Sequence, residues 1–148
     1  VIMKIVIGCD HAAYPIKQSL KLFLLEQKFE VKDLGTDSER RCDYPTYATA
    51  VCRKVIADQC RGILLCGTGI GMSMTANRYK EIRAALCRTK EEAQLSREHN
   101  DANILCLGAR TTAWEDIQEI VMVWLKTQFE GGRHQNRIAL FKQLGESI

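Results

Sequence analysis

Gly62-Ile63-Leu64-Leu65-Cys66-Gly67-Thr68-Gly69-Ile70-Gly71 is the stretch that decides the fold. A short Ile/Leu run that breaks directly into a glycine-rich turn reads as a buried parallel strand whose carboxyl end opens into a loop. In open α/β sheets the crevice beyond the strand ends is where ligands bind. Glycine at 67, 69 and 71 lets the backbone approach a ligand closely and aim N–H groups at an anion. A cysteine at the lip of such a loop, just ahead of a helix N-terminus, sits where a thiolate is stabilised. The stretch therefore points to a phosphate-sized ligand beside a reactive Cys66. The plainer alternative is that Cys66 fills core space, as buried cysteines commonly do.

A dinucleotide site fits poorly. Met72 occupies the third glycine position of the fingerprint, and Ile82-Arg83-Ala84-Ala85-Leu86 runs into Cys87 and Arg88 instead of an acidic residue.

Outward from this stretch, strand-like and helix-like runs alternate to both ends. Strands are expected at Lys4 to Cys9, Phe29 to Leu34, Gly62 to Leu65, Ile82 to Leu86 and Asn103 to Leu107. Ile16, Leu20, Phe23 and Leu24 share a face of the first helix, with Pro15 near its start. Asp43-Tyr44-Pro45 opens the second, whose apolar side is Tyr47, Val51 and Val55. Thr89-Lys90-Glu91-Glu92 and Thr112-Ala113-Trp114-Glu115 both read as capping boxes. Gly131-Gly132 breaks the chain before a last helix, expected from about His134 to Gly145. Strands alternating with helices of this length imply right-handed βαβ units and one parallel sheet covered on both faces. The last helix has no sheet position left to serve; it packs on its own domain or on a partner subunit.

At 148 residues the chain is read as one domain, 1–148, large enough to bury a core without disulfides or metals. A net charge of +3, scattered along the chain, argues for neither nucleic acid nor membrane partners. The apolar start Ile5-Val6-Ile7 is followed at once by Asp10 and His11, too short a run for a secretory signal. Seven cysteines, with no Cys-x-x-Cys pair and no histidine at zinc-ligand spacing, indicate free thiols in a reducing cytosol and no metal site.

Several polar residues fall where chemistry is possible. Gly8-Cys9-Asp10-His11 ends the first strand, placing an Asp-His pair on the rim that holds Cys66. Such a pair moves protons near neutral pH; the bland reading is an aspartate capping the first helix with a surface histidine beside it. His99-Asn100-Asp101 alone looks like a polar turn. Arg110 follows the fifth strand. Arg133 and Arg137, four apart, share a helix face and suit a phosphate, although a solvated basic face has the same pattern. Together these residues describe a rim suited to a small anionic substrate that exchanges protons.

With these motifs in their order, the chain resembles ribose-5-phosphate isomerase type B, within the wider family that includes the galactose-6-phosphate isomerase subunits. The resemblance runs from Met3 to the last helix. It rests on Gly8-Cys9-Asp10-His11, Asp43-Tyr44-Pro45, Cys66 to Gly71, Ser96-Arg97-Glu98-His99-Asn100-Asp101-Ala102-Asn103 and Glu130-Gly131-Gly132-Arg133-His134. It implies an α/β Rossmann-like three-layer sandwich, with a five-stranded parallel sheet, an extra C-terminal helix and no nucleotide. It also implies an aldose–ketose isomerase that interconverts ribose 5-phosphate and ribulose 5-phosphate through an enediolate, in the pentose phosphate pathway, without metal or cofactor. Six-carbon sugar phosphates (galactose 6-phosphate, allose 6-phosphate) are the alternative substrates. A non-catalytic sugar-phosphate sensor is the alternative of another class.

Carried over by resemblance, Cys66 is the base between C2 and C1. Thr68 and the N–H groups of the loop through Gly67, Gly69 and Gly71 stabilise the oxyanion, and Asp10 and His99 assist ring opening. His11, Arg110, Arg133 and Arg137 hold the phosphate; Tyr44 and Asn100 contact sugar hydroxyls. The family's site lies between two subunits, so a homodimer or a dimer of dimers is expected, with residues such as His99, Asn100 and Arg110 serving the neighbour's pocket. In one branch a glutamate in the glycine loop replaces the cysteine as base. Met72 holds that place here, which puts the chain in the cysteine branch. Ala12-Ala13 departs from the alanine-glycine usual after Asp-His, and a slight shift of that loop is expected.

Overall fold

The alternation of apolar residues in the central strands sorts their side chains onto two faces and builds two cores. The computed structural model describes residues 2–148. Along the chain come β1 (Lys4–Cys9), α1 (Tyr14–Glu26), β2 (Glu30–Asp33), α2 (Tyr44–Asp58), β3 (Arg61–Cys66), α3 (Ile70–Ala76), β4 (Ala84–Leu86), α4 (Lys90–Glu98), β5 (Ile104–Gly108), α5 (Trp114–Lys126) and α6 (Arg133–Ala139). The strands form one five-stranded, wholly parallel sheet in the order β2-β1-β3-β5-β4.

Ile5, Ile7, Ile63, Leu65, Leu105 and Leu107 pack under α1, α4 and α5, against Leu20, Leu24, Ala93, Val121 and Trp124. Val6, Leu64, Cys66, Ile104 and Cys106 face α2 and α3. Burial on both faces explains why these strands read as continuous apolar runs. α2 sits close because two strand positions lack a side chain. A Cβ at Gly8 would stand 2.6 Å from Val51 Cγ2, and one at Gly62 would stand 2.9 Å from Val51 Cγ1. The three-layer, Rossmann-like reading is the observed architecture.

Local chemistry matches the expectation at α4, where Thr89 Oγ1 accepts the Glu92 N–H at 3.0 Å and the Glu92 carboxylate turns back to the Arg88 N–H at 2.8 Å. The second capping box does not form. Thr112 is held in the turn leaving β5, its N–H donating to Gly108 O at 3.1 Å. Ala113 is therefore the last extended residue, and α5 starts at Trp114 without a side-chain cap. The loop after Asp10 accepts its second alanine without strain: Ala13 has φ −103° and is fully buried.

The C-terminal helix is shorter than expected. α6 ends at Ala139, and Leu140–Gln143 continue as a 3-10 turn. Leu140, Phe141 and Leu144 remain 75, 47 and 61% exposed, so no buried stripe holds further α-helical turns. The tail instead pairs with Tyr79–Lys80: the Lys80 N–H donates to Glu146 O at 2.9 Å, and the Glu146 N–H to Arg78 O at 2.8 Å. Beneath it, toward the amino ends of the strands, lies a cleft of about 1050 Å³ whose walls include Arg61, Arg83, Arg97, Ile138, Phe141 and Ile148. Among the described residues, no helix is long and apolar enough to cross a membrane.

Candidate active site

From β1 the chain turns one way to β2 and then returns past β1 to β3, so the crevice at the carboxyl ends of β1 and β3 is the topological switch point of the sheet. Cys66 closes β3 there. It is 5% exposed, and its Sγ accepts the Gly69 N–H at 3.1 Å, a bond that strengthens when the sulfur is a thiolate. Four further thiols lie deeper in the two cores. Burial pushes Cys9 and Cys52 up to about 12 and Cys87 to about 11, and holds Cys106 well above its ordinary value. Those four are small apolar fillers of the two cores.

The glycine loop is locked from the β5 side. The Ala109 N–H donates to Cys66 O and the Arg110 N–H to Gly67 O, both at 2.9 Å. The Arg110 side chain then lies over Gly67, its Nη1 3.7 Å from where a Cβ would stand. Gly69 has φ +79°, and a Cβ on it would be 2.9 Å from the Leu107 carbonyl carbon. Gly69→Ala thus combines a left-handed residue with a backbone clash. A loss of at least ~1–3 kcal/mol of unfolding free energy is expected, measured by urea denaturation. Thr68 is exposed, and its Oγ1 accepts the Ile70 N–H at 3.2 Å. Tyr44, at the start of α2, lays its ring on Gly71, with Cε1 2.5 Å from a Cβ built there.

Asp10 is buried, and its Oδ1 accepts the N–H groups of Ala12 at 3.0 Å and Ala13 at 3.3 Å. The capping role given above as the bland reading is therefore real, and it coexists with a position on the Cys66 rim, where the Asp10 N–H donates to Leu65 O at 3.2 Å. His11 Nδ1 accepts the Cys42 N–H at 3.2 Å, which leaves Nε2 as the protonated nitrogen of the neutral ring. The loop carrying Cys42 is braced from below by Lys17, whose buried ammonium donates to Asp33 at 2.8 Å and to Thr36 O at 3.0 Å.

Asp10, His11, Tyr44, Cys66, Gly67, Thr68, Gly69, Gly71 and Arg110 thus share one rim. His99, Asn100, Arg133 and Arg137 do not join them, which corrects the single-rim reading. α4 runs back toward the amino ends of the strands, and His99 caps it by donating its N–H to Leu95 O at 2.9 Å. The segment that follows is tied to the starts of β3 and β4 by the Gly62 N–H to Asn103 O and the Asn103 N–H to Arg83 O. The Glu130 N–H donates to Glu98 O at 3.1 Å and brings α6 to the same end. A strand of this length separates the two ends by roughly 17 Å. Arg110 also differs from expectation, because it lies against its own chain's glycine loop.

At the lower end the structure reveals a cluster that the sequence reading did not assemble. The His99 and His134 rings stack at 4.2 Å between centroids, with 17° between planes, and His99 Nε2 lies 3.6 Å from Glu130 Oε1. His134 is buried, and its Nε2 has no hydrogen-bond partner. Burial, then the neighbouring Arg133, lowers its basicity. One donor atom from each of His99, Glu130 and His134 lies within 4.8 Å of the others. A metal ion lies in the plane of each imidazole that ligates it, and two nearly parallel planes share no nearby point. The stack therefore disfavours chelation of one ion by both rings. Glu130 and His134 flank Gly131-Gly132 in sequence, and that adjacency to a chain break was the one available signal.

The family model described as Ribose/Galactose Isomerase matches residues 5–141. Ribose-5-phosphate isomerase B of Escherichia coli is 46% identical over 136 residues, 91% of each chain. The crystal structure of a ribose 5-phosphate isomerase from Thermotoga maritima superposes with a TM-score of 0.93 at 48% identity, covering 96% of this chain and 99% of that one. Ribose-5-phosphate isomerase B of Clostridium thermocellum gives a TM-score of 0.93 at 44% identity, covering 95% and 96%.

Proposed function

The chain belongs to the ribose/galactose isomerase family, and from that membership we infer its reaction: it is an aldose–ketose isomerase interconverting ribose 5-phosphate and ribulose 5-phosphate. We propose Cys66 as the base. The observation that carries this is a thiol at the switch-point crevice whose sulfur already accepts a backbone N–H at 3.1 Å. The thiolate takes the C2 proton of the open-chain aldose as the electron pair moves to O1. The O2 hydroxyl proton passes to O1, and the same carbon proton or its exchanged equivalent returns from Cys66 to C1, leaving the ketone at C2. Thr68 and the loop N–H groups face the developing oxyanion, a contribution on the order of 3 kcal/mol per donor. His11 and Arg110 hold the phosphate from this rim, and Tyr44 lies against the sugar.

The remaining groups come from a second copy. His99 with Asp10 opens the furanose ring, Asn100 contacts a hydroxyl, and Arg133 and Arg137 complete the phosphate site. Two observations support a homodimer or a dimer of dimers. The candidate residues lie at opposite ends of one sheet, and the exposed Leu140, Phe141 and Leu144 of the tail offer apolar surface for a partner. The free thiols support the reading that the enzyme works in a reducing cytosol.

Initial rates with ribose 5-phosphate, galactose 6-phosphate and allose 6-phosphate, measured side by side, test the substrate. Turnover of ribose 5-phosphate alone is expected. Turnover only of a six-carbon sugar would move the assignment within the family, and tight binding without turnover would make the chain a sensor. Arg137→Ala removes one charge-assisted partner of the phosphate. KM should rise about tenfold to a hundredfold with little change in kcat; an unchanged KM would leave that helix face merely solvated.

A further inference from the structure

We propose that His134 is a positioning residue for His99: its ring is the flat surface that orients the His99 imidazole for furanose ring opening. The proposal rests on the reading above that His99 takes part in that step.

The geometry carries it. His99 stands at the C-terminal end of α4, partly exposed, with the His134 ring face 4.2 Å away on one side and Glu130 3.6 Å from Nε2 on another. With Glu130 facing Nε2, Nδ1 is the nitrogen left for a substrate. His134 makes no hydrogen bond through Nε2 although that atom is fully buried, an arrangement that costs free energy and that a purely space-filling apolar ring would avoid. Two cationic imidazoles would repel in such a stack, which favours a neutral His134. Burial, then Arg133, adjacent in sequence, lowers the basicity of His134 and favours its neutral form, against the opposing pull of the Glu130 carboxylate. Arg137, on the same helix, works in the same direction as Arg133.

Ring opening moves two protons. One is given to the ring oxygen as its bond to C1 breaks, and one is taken from the C1 hydroxyl as the aldehyde forms. A misoriented His99 slows this step and leaves enediolate chemistry alone. The two steps separate experimentally, because ribulose 5-phosphate has its terminal hydroxyl phosphorylated and remains open-chain. Exchange of its C1 proton with solvent deuterium needs Cys66 but no ring opening.

The experiment measures both reactions for wild type, His134→Ala and His134→Phe, with thermal unfolding as a control on folding. His134→Ala should lower kcat for ribose 5-phosphate at least tenfold and leave C1 exchange of ribulose 5-phosphate within about twofold. His134→Phe restores a flat neutral ring and should recover kcat to within about threefold of wild type. Equal loss of both reactions in the alanine variant, no loss of either, or a phenylalanine variant as slow as alanine would overturn the positioning role. Absence of both ribose 5-phosphate turnover and C1 exchange in the wild type would instead overturn the isomerase reading, and the proposal with it.

Discussion

Cys66→Ala should lower turnover of ribose 5-phosphate by at least ~100-fold, the low end of what a positioned base contributes. The argument is local. Cys66 ends β3 with its side chain toward α2 and α3, packed with Val6, Leu64 and Met72, so alanine keeps the strand and removes one buried atom. That atom accepts the Gly69 N–H, and its loss leaves the donor unpaired, at a cost of about 1–3 kcal/mol if no water replaces it. Cys66→Ser separates the two consequences. The hydroxyl still accepts the Gly69 N–H and preserves the loop, yet it is far too weakly acidic to supply an anion. Both variants should therefore be equally inactive, with serine the more stable in urea denaturation. Appreciable activity in either would move the base elsewhere on the rim. Asp10 would be the first candidate, although its Oδ1 is already engaged by the Ala12 and Ala13 N–H groups.

What could be read from the sequence divides along the same line as the physics. The three central strands were legible nearly to the residue, because burial on both faces forces an unbroken apolar run between polar turns. Cys66 was legible because strand, thiol and glycine turn are contiguous. Boundaries set by tertiary contacts were not. Nothing local distinguishes Thr89, which caps α4, from Thr112, which the turn after Gly108 holds outside α5. The length of α6 depended on whether Leu140 and Phe141 have something to pack against, and within one chain they do not. His99 and His134 meet only because α4 and α6 end at the same edge of the sheet, 35 positions apart in sequence by their numbers. The single-rim expectation failed for a topological reason. In a βαβ unit a residue just before a strand lies at the opposite end of the sheet from one just after it, and His99 precedes β5 whereas Arg110 follows it.

That topology gives the second large expected effect. If the working site combines Cys66 of one copy with His99 of another, then Cys66→Ala and His99→Asn should each be nearly inactive alone, and mixing them should restore activity. In a heterodimer of the two, one site carries both substitutions and the other carries neither. Random exchange of subunits makes about half of the dimers mixed, each with one intact site of two, so roughly a quarter of wild-type activity should return. The measurement is the ribose 5-phosphate rate after the two variants are dissociated together and reassembled, against each treated alone. A site completed within one chain would predict no recovery, since every chain in the mixture carries a lesion. The roughly 17 Å along the sheet between the two ends makes that outcome hard to reconcile with the fold, because no side chain spans such a gap. Recovery near a quarter would assign the lower-rim residues His99, Asn100, Arg133 and Arg137 to the partner's pocket. No recovery, with subunit exchange verified by mass and each variant inactive alone, would assign His99 to its own chain's site. Full activity of His99→Asn by itself would instead remove His99 from catalysis and return it to a structural cap on α4.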